Sequence, residues 1–144
     1  DWEETSRIAL LLFERGTRVA ETRGLILVDT KYELGLDESG QITLCDEIHT
    51  PDSSRWWLLE GYDYAFKSGK EPRYIDKEFL RLWFKEHCDP YNDAMLPEAP
   101  EDLIVELSSR YIELYERITG NSFKVDERPV LERMKDNLKN AGLI

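Results

Sequence analysis

The stretch LILVDTKYELG, Leu25 to Gly35, restricts the fold more than any other part of the chain. It opens as an apolar strand, and then Asp29, Lys31 and Glu33 enter at every second position. Side chains alternate faces along a strand, so these three charges share one face with Leu25 and Leu27, while Ile26, Val28, Thr30, Tyr32 and Leu34 share the other. A core face has no use for three charges. The spacing predicts one strand over 25–34 that starts in the core and ends in a cleft.

A second strand is predicted over 41–47, QITLCDE, after the turn residues of GLDESG, which makes the pair a hairpin. With the turn centred on Glu38 and Ser39, Lys31 lies opposite Asp46 and Glu33 opposite Leu44. Asp29, Lys31, Glu33 and Asp46 then line one patch about 7 Å long on each strand. A three-residue turn shifts the register by one and moves Asp46 to the other face. Hard divalent cations such as magnesium take carboxylate oxygens together with substrate phosphates, so Glu33 and Asp46 could clamp such an ion. Lys31 between them could meet a phosphate or carboxylate oxygen as a point charge. An exposed cross-strand salt-bridge ladder has the same pattern.

The remainder reads as helices and loops. Ile8, Leu11, Leu12 and Val19 recur at helical spacing, so a helix is expected over 5–23, with Gly24 as its stop. Residues 48–55 read as a loop, and the aromatic run SRWWLLEGYDYAF carries no clear assignment. Asp76 is placed to cap a helix running to about His87, with Phe79, Leu80, Trp83 and Phe84 on one side. Pro100 opens another helix with an apolar stripe of Ile104, Leu107, Tyr111, Leu114 and Ile118, ended by Gly120. A last helix is expected over 129–141 with Leu131, Met134 and Leu138 inward. The order gives an α+β fold, an antiparallel hairpin with flanking helices, in 144 residues, enough for one domain with a core.

A formal net charge of −11 disfavours nucleic acid and anionic membrane surfaces, though not a local basic pocket. No apolar run approaches the ~20 residues of a membrane span. The N-terminal residues lack the basic region of a signal peptide. Cys45 and Cys88 form no CxxC pair, which fits a reducing cytoplasm rather than a disulfide framework or zinc site.

The loop after the second strand, DEIHTPDSSRWW, carries Asp52, Ser53, Ser54 and Arg55. Loops at strand ends often bear binding groups. Arg55 could fork onto a phosphate or carboxylate, and Asp52 could accept from an amine. Pro-Asp-Ser-Ser is also good chemistry for a plain turn. His49 is expected as a turn histidine, Trp56 and Trp57 as core, and Cys45 as a buried thiol pointing away from Asp46.

Together, LILVDTKYELG and ITLCDEIHTPDSSRWW resemble the paired signature of the SAICAR synthetase (phosphoribosylaminoimidazole-succinocarboxamide synthase) family. Its pattern is a strand with hydrophobic-Asp-x-Lys-x-Glu-x-Gly, then Asp-Glu and a Pro-Asp-x-x-Arg loop. YIDKEFLRLWF and PEDLIVELSSRYIELYERITG are similar to later segments of that family.

The resemblance implies an ATP-dependent ligase of de novo purine synthesis. It would join the carboxylate of an aminoimidazole ribonucleotide to the amine of L-aspartate. It further implies Glu33 and Asp46 as Mg2+ ligands, Lys31 on ATP phosphates or the reacting carboxylate, and Asp29 near the substrates. Asp52, Ser53 and Arg55 would bind the ribonucleotide, with Lys77 and Arg81 on its phosphate. Family members are longer, and nothing in this chain resembles their Gly-rich N-terminal part. The 144 residues are therefore expected to be the C-terminal, substrate- and metal-binding portion, inactive alone. Two rivals are a different ATP-dependent carboxylate–amine ligase, and a non-catalytic module that offers its acidic hairpin face to a protein partner.

Overall fold

The computed structural model describes residues 2–144. The element order is α1 (Trp2–Thr22), β1 (Leu25–Thr30), β2 (Glu33–Leu36), β3 (Ile42–Cys45), β4 (Ser54–Leu58), α2 (Tyr62–Lys67), α3 (Glu78–His87), α4 (Glu101–Thr119) and α5 (Val130–Asn140). This is the expected α+β arrangement of antiparallel strands flanked by helices. Among the described residues no helix is long and apolar enough to cross a membrane.

The strand expected over 25–34 is broken. Its two parts serve two separate antiparallel pairs, β1 with β4 and β2 with β3. The break at Lys31 and Tyr32 has a packing cause. Leu25 and Leu27 of β1 lie opposite Leu58 and Trp56 of β4, and all four are buried. The β1–β4 pair thus forms the floor of the core, with Ala20 of α1, Ile75 and Leu114 of α4 packed on it. β2 is largely exposed and has no such anchor. β4 lies in the segment that the sequence left partly as loop and partly unassigned, and α2 follows in the same aromatic run.

Two register details differ from the sequence-based expectation. The β1–β4 ladder slips between Leu27 and Asp29, leaving Val28 as an extra residue. A bulge of this kind reverses the alternation beyond it, so Asp29 does not share the face of Leu27. It stands opposite Arg55 instead. In the β2–β3 hairpin Glu33 pairs with Cys45 and Leu34 with Leu44, one step from the expected register. The cause is the turn. Asp37 and Gln41 close it with a backbone bond of 2.9 Å, and Gly40 takes a φ of 79°. The Asp37 carboxylate accepts from the backbone N–H groups of Ser39 and Gln41, both at 2.9 Å, and fixes three central residues rather than two. Cys45, expected to be buried, is consequently exposed opposite Glu33.

The late helices are less buried than their stripes suggest. Leu114 is fully buried, but Ile104, Leu131, Met134 and Leu138 are exposed, because no described element covers them. Trp56 is core as expected, while Trp57 is half-buried and stacks on Tyr62 at 5.7 Å.

Candidate functional site

Asp76 organises the site. It is 2% exposed, and its two carboxylate oxygens do separate jobs. Oδ1 accepts the N–H of Glu78 at the start of α3, and Oδ2 accepts the N–H of Trp56 in β4, both at 2.8 Å. The helix start is thereby bolted to the strand, which brings Lys77, Glu78 and Arg81 beside Arg55. The expected cap falls one residue away: Lys77 occupies the N-cap position without a side-chain cap bond, and Asp76 stands just before it, accepting only the Glu78 N–H from the helix. Its bond to Trp56 of β4 leaves no trace in the sequence spacing.

A cleft of about 590 Å3 lies over this junction. Asp29, Asp52, Ser53, Arg55, Lys77 and Arg81 all line it, so six residues singled out in the sequence converge there. Phe84, Pro90, Tyr91 and Leu96 supply an apolar wall opposite.

The charges of the cleft are held in pairs. Arg55 Nε donates to both oxygens of Asp29, at 3.0 and 2.9 Å, and its Nη2 donates to Oδ2 as well. This guanidinium holds the Asp29 carboxyl below its ordinary range, against the opposing effect of burial. Arg81 forks onto Glu78 one helical turn back, with Nε 2.8 Å from Oε2. Lys77 Nζ donates to Asp52 Oδ1 at 2.7 Å, and the Tyr111 hydroxyl donates to the same oxygen at 2.9 Å. Lys77 lowers the Asp52 pKa, burial raises it, and Tyr111 lowers it further. Burial and the neighbouring Asp52 push the Tyr111 phenol far up, so it stays a donor. Ser53 shapes the loop: its carbonyl accepts the Lys31 N–H at 3.1 Å, and its hydroxyl accepts the Thr50 N–H at 3.1 Å.

Lys31, Glu33 and Asp46 form a second cluster, on the hairpin and outside the walls of the cleft. The expected direct pairing of Lys31 with Asp46 across a ladder is absent, because Asp46 lies beyond the end of β3 with a φ of 64°. That left-handed turn still brings its Oδ2 to 3.9 Å from Lys31 Nζ, while Glu33 Oε1 lies at 2.5 Å. Both carboxylates, Glu33 foremost, raise the Lys31 pKa. Among the described residues no group of three or more His, Cys, Asp or Glu side chains converges for a metal ion. The Lys31 ammonium contacts Glu33 and lies only within ion-pair range of Asp46. Two carboxylates are what the protein usually contributes to magnesium when substrate phosphates supply the rest.

His49 and Tyr32 brace the base of this hairpin. His49 has a φ of 55°, and its Nε2 lies 2.6 Å from the Tyr32 hydroxyl. Its ring meets Trp56 edge-on at 6.5 Å and sits tight over α1, where a Cβ on Gly16 would come 2.4 Å from Cε1. It is thus more than a turn residue. The sequence carried no signal for this role beyond the residue type. Tyr111 was also missed as a site residue, since its place in the α4 stripe accounts for the ring but not for the hydroxyl.

A small-molecule-sized cleft with one apolar wall and one wall of oriented charges has the architecture of an enzyme ligand site. The comparisons with known proteins make the class specific. Residues 1–97 match the family model described as SAICAR synthetase. The chain is 61% identical over 142 residues to the phosphoribosylaminoimidazole-succinocarboxamide synthase of Legionella pneumophila (strain Lens), covering 97% of this chain and 46% of that protein. It is 53% identical over 143 residues to the chloroplastic enzyme of that name from Arabidopsis thaliana, covering 98% of this chain and 35% of that one.

Among solved structures, a SAICAR synthase from Saccharomyces cerevisiae complexed with SAICAR superposes with a TM-score of 0.69 at 34% identity, over 85% of this chain and 40% of that one. A SAICAR synthetase in complex with ADP superposes at 0.59 and 30% identity, with the same coverage. The chain belongs to the SAICAR synthetase family, a family of ligases. It spans under half the length of the curated relatives described here.

Proposed function

We propose that the chain forms the substrate- and metal-binding side of an ATP-dependent carbon–nitrogen ligase. The reaction joins the carboxylate of carboxyaminoimidazole ribonucleotide to the amino group of L-aspartate, giving SAICAR, ADP and phosphate. The observation that carries this reading is the convergence of Asp29, Asp52, Ser53, Arg55, Lys77 and Arg81 on one cleft, next to the Lys31–Glu33–Asp46 cluster. That one solved relative holds SAICAR and another ADP supports the same reading.

A carboxylate is a poor electrophile. Phosphorylation by ATP turns one of its oxygens into part of a leaving group, and the amine of aspartate then displaces phosphate. The protein's task in such chemistry is positioning and charge neutralisation. Arg55 and Lys77, already oriented by Asp29 and Asp52, keep further N–H groups for the anionic ribonucleotide, and Arg81 lies beside them for its phosphate. Glu33 and Asp46 would hold Mg2+, which would supply neutralising charge to the ATP phosphates. Lys31, steered by both carboxylates, would contact the transferring phosphoryl group or the reacting carboxylate. Nothing in this chemistry needs a membrane or a nucleic acid, and a cytoplasmic location suits it.

The test is ADP release by the complete gene product with carboxyaminoimidazole ribonucleotide, with and without aspartate, beside Glu33→Gln and Asp46→Asn. Turnover should require aspartate and fall at least 100-fold in each variant, given that removing one ligand or charge-stabilising group of a phosphoryl-transfer site costs on the order of 10²–10³ in rate. ADP release indifferent to aspartate would point to another carboxylate–amine ligase. The absence of turnover would return the acidic hairpin to a role in partner binding.

A further inference from the structure

We propose that Tyr111 is a positioning residue of the cleft, holding Asp52 so that its second carboxylate oxygen is presented to a hydroxyl or amine of the bound ribonucleotide; this rests on reading the cleft as the ribonucleotide site. Three parts of the chain meet at one atom. Asp52 comes from the loop before β4, Lys77 from the start of α3, and Tyr111 from the middle of α4, 59 residues away in sequence from Asp52. Lys77 and Tyr111 both donate to Oδ1, at 2.7 and 2.9 Å. Among the described residues Oδ2 has no hydrogen-bond partner, and Asp52 lines the cleft.

The two donors are not equivalent. Lys77 is half-exposed on a flexible stem, a compact charge that can follow the carboxylate or a ligand phosphate. The Tyr111 ring is partly buried between the Leu107 and Leu114 turns of its helix and has only two side-chain torsions to fix. It supplies the direction that the lysine cannot. When Lys77 turns toward an incoming anion, the phenol still anchors Oδ1 and keeps Oδ2 in place. Tyr111 does not itself line the cleft, so it acts through Asp52. The apolar stripe of α4 is thereby coupled to a binding loop by one hydroxyl, a relationship that the spacing of the helix conceals.

The test is calorimetric binding of carboxyaminoimidazole ribonucleotide, and separately of ATP, to the complete gene product. Wild type, Tyr111→Phe, Asp52→Asn and the double variant are compared. Tyr111→Phe keeps the ring and should fold normally, as its thermal midpoint will report. We expect ribonucleotide binding to weaken about tenfold, the value of one hydrogen bond to a charged group, with ATP binding within about twofold of wild type. The loss should vanish in the Asp52→Asn background. Unchanged ribonucleotide binding in Tyr111→Phe, an equal loss for ATP, or the same loss with and without Asp52 would overturn the proposal. If wild type fails to bind the ribonucleotide, the functional reading itself falls, and that outcome is read from the wild-type arm alone.

Discussion

Arg55 clasps Asp29 across the β1–β4 pair, its Nε 3.0 and 2.9 Å from the two carboxylate oxygens. The contact exists because Val28 is an extra residue in β1. Without that slip Arg55 would stand opposite Val28, and Asp29 would point toward the side of Leu27 and Trp56. Both partners are about half-exposed, so the pair contributes little to stability, at most about 1 kcal/mol. Its use is to aim the guanidinium into the cleft.

A substitution separates these two roles. Arg55→Lys keeps the charge and loses the fork. We expect ribonucleotide affinity to fall about tenfold while the unfolding free energy changes by less than about 1 kcal/mol. A large loss of stability with unchanged affinity would make Arg55 a strut rather than a ligand-binding group.

Asp76 should behave in the opposite way. Its carboxylate is buried, and each oxygen accepts one backbone N–H. Asp76→Asn replaces one acceptor by an NH2 group facing a donor, so a backbone N–H of α3 or β4 loses its partner. The cost should be about 1–3 kcal/mol, read as a drop in urea midpoint with an unchanged slope. Ligand affinity should fall with it, since Lys77 and Arg81 ride on the helix start. An Asp76→Asn protein as stable as wild type would show that the two N–H groups find other partners.

These residues also mark what the sequence reveals and what it hides. The charged residues of the cleft and hairpin were legible because their types and spacings are unusual for a strand and a turn. Helices α1, α3, α4 and α5 were legible from apolar periodicity, α1 and α4 also from Gly24 and Gly120, whose φ values of 69° and 72° suit helix ends, whereas α2 was not. The placement of the strands was not. One extra residue at Val28 and a three-residue hairpin turn each shift the pairing by one position, and side-chain faces follow the register. Nothing in LILVDT announces a bulge, because Val28 fits a paired and an unpaired position equally well. The partner of β1 was hidden for a related reason. SRWWL is short, aromatic and preceded by good turn residues, and only Leu25 and Leu27, needing cover, select it. Tyr111 and His49 were hidden because long-range hydrogen bonds leave no periodic trace.

His49 gives a prediction in pH. Its ring is partly buried against Trp56 and Gly16, and desolvation lowers its pKa from the ordinary 6.5. The folded state therefore favours the neutral ring, while the unfolded chain takes up a proton near pH 6.5. The contribution is fully present above pH 6.5 and is lost as pH falls from there toward the lower folded value, at a rate of at most about 1.4 kcal/mol per pH unit. Asp29 and Asp52, whose folded pKa values are lowered, lose their contributions only below the ordinary carboxylate range near pH 4. Between pH 7 and 5 the difference between wild type and His49→Gln thus isolates the histidine. Gln offers both an acceptor and a donor to the Tyr32 hydroxyl, whichever way that bond runs, and has no proton to gain. Urea denaturation across that range should give a falling stability for wild type and a flatter profile for His49→Gln. Parallel profiles would mean that the His49 ring is solvated in the folded protein, and that the Tyr32 hydroxyl 2.6 Å away does not hold it against Trp56.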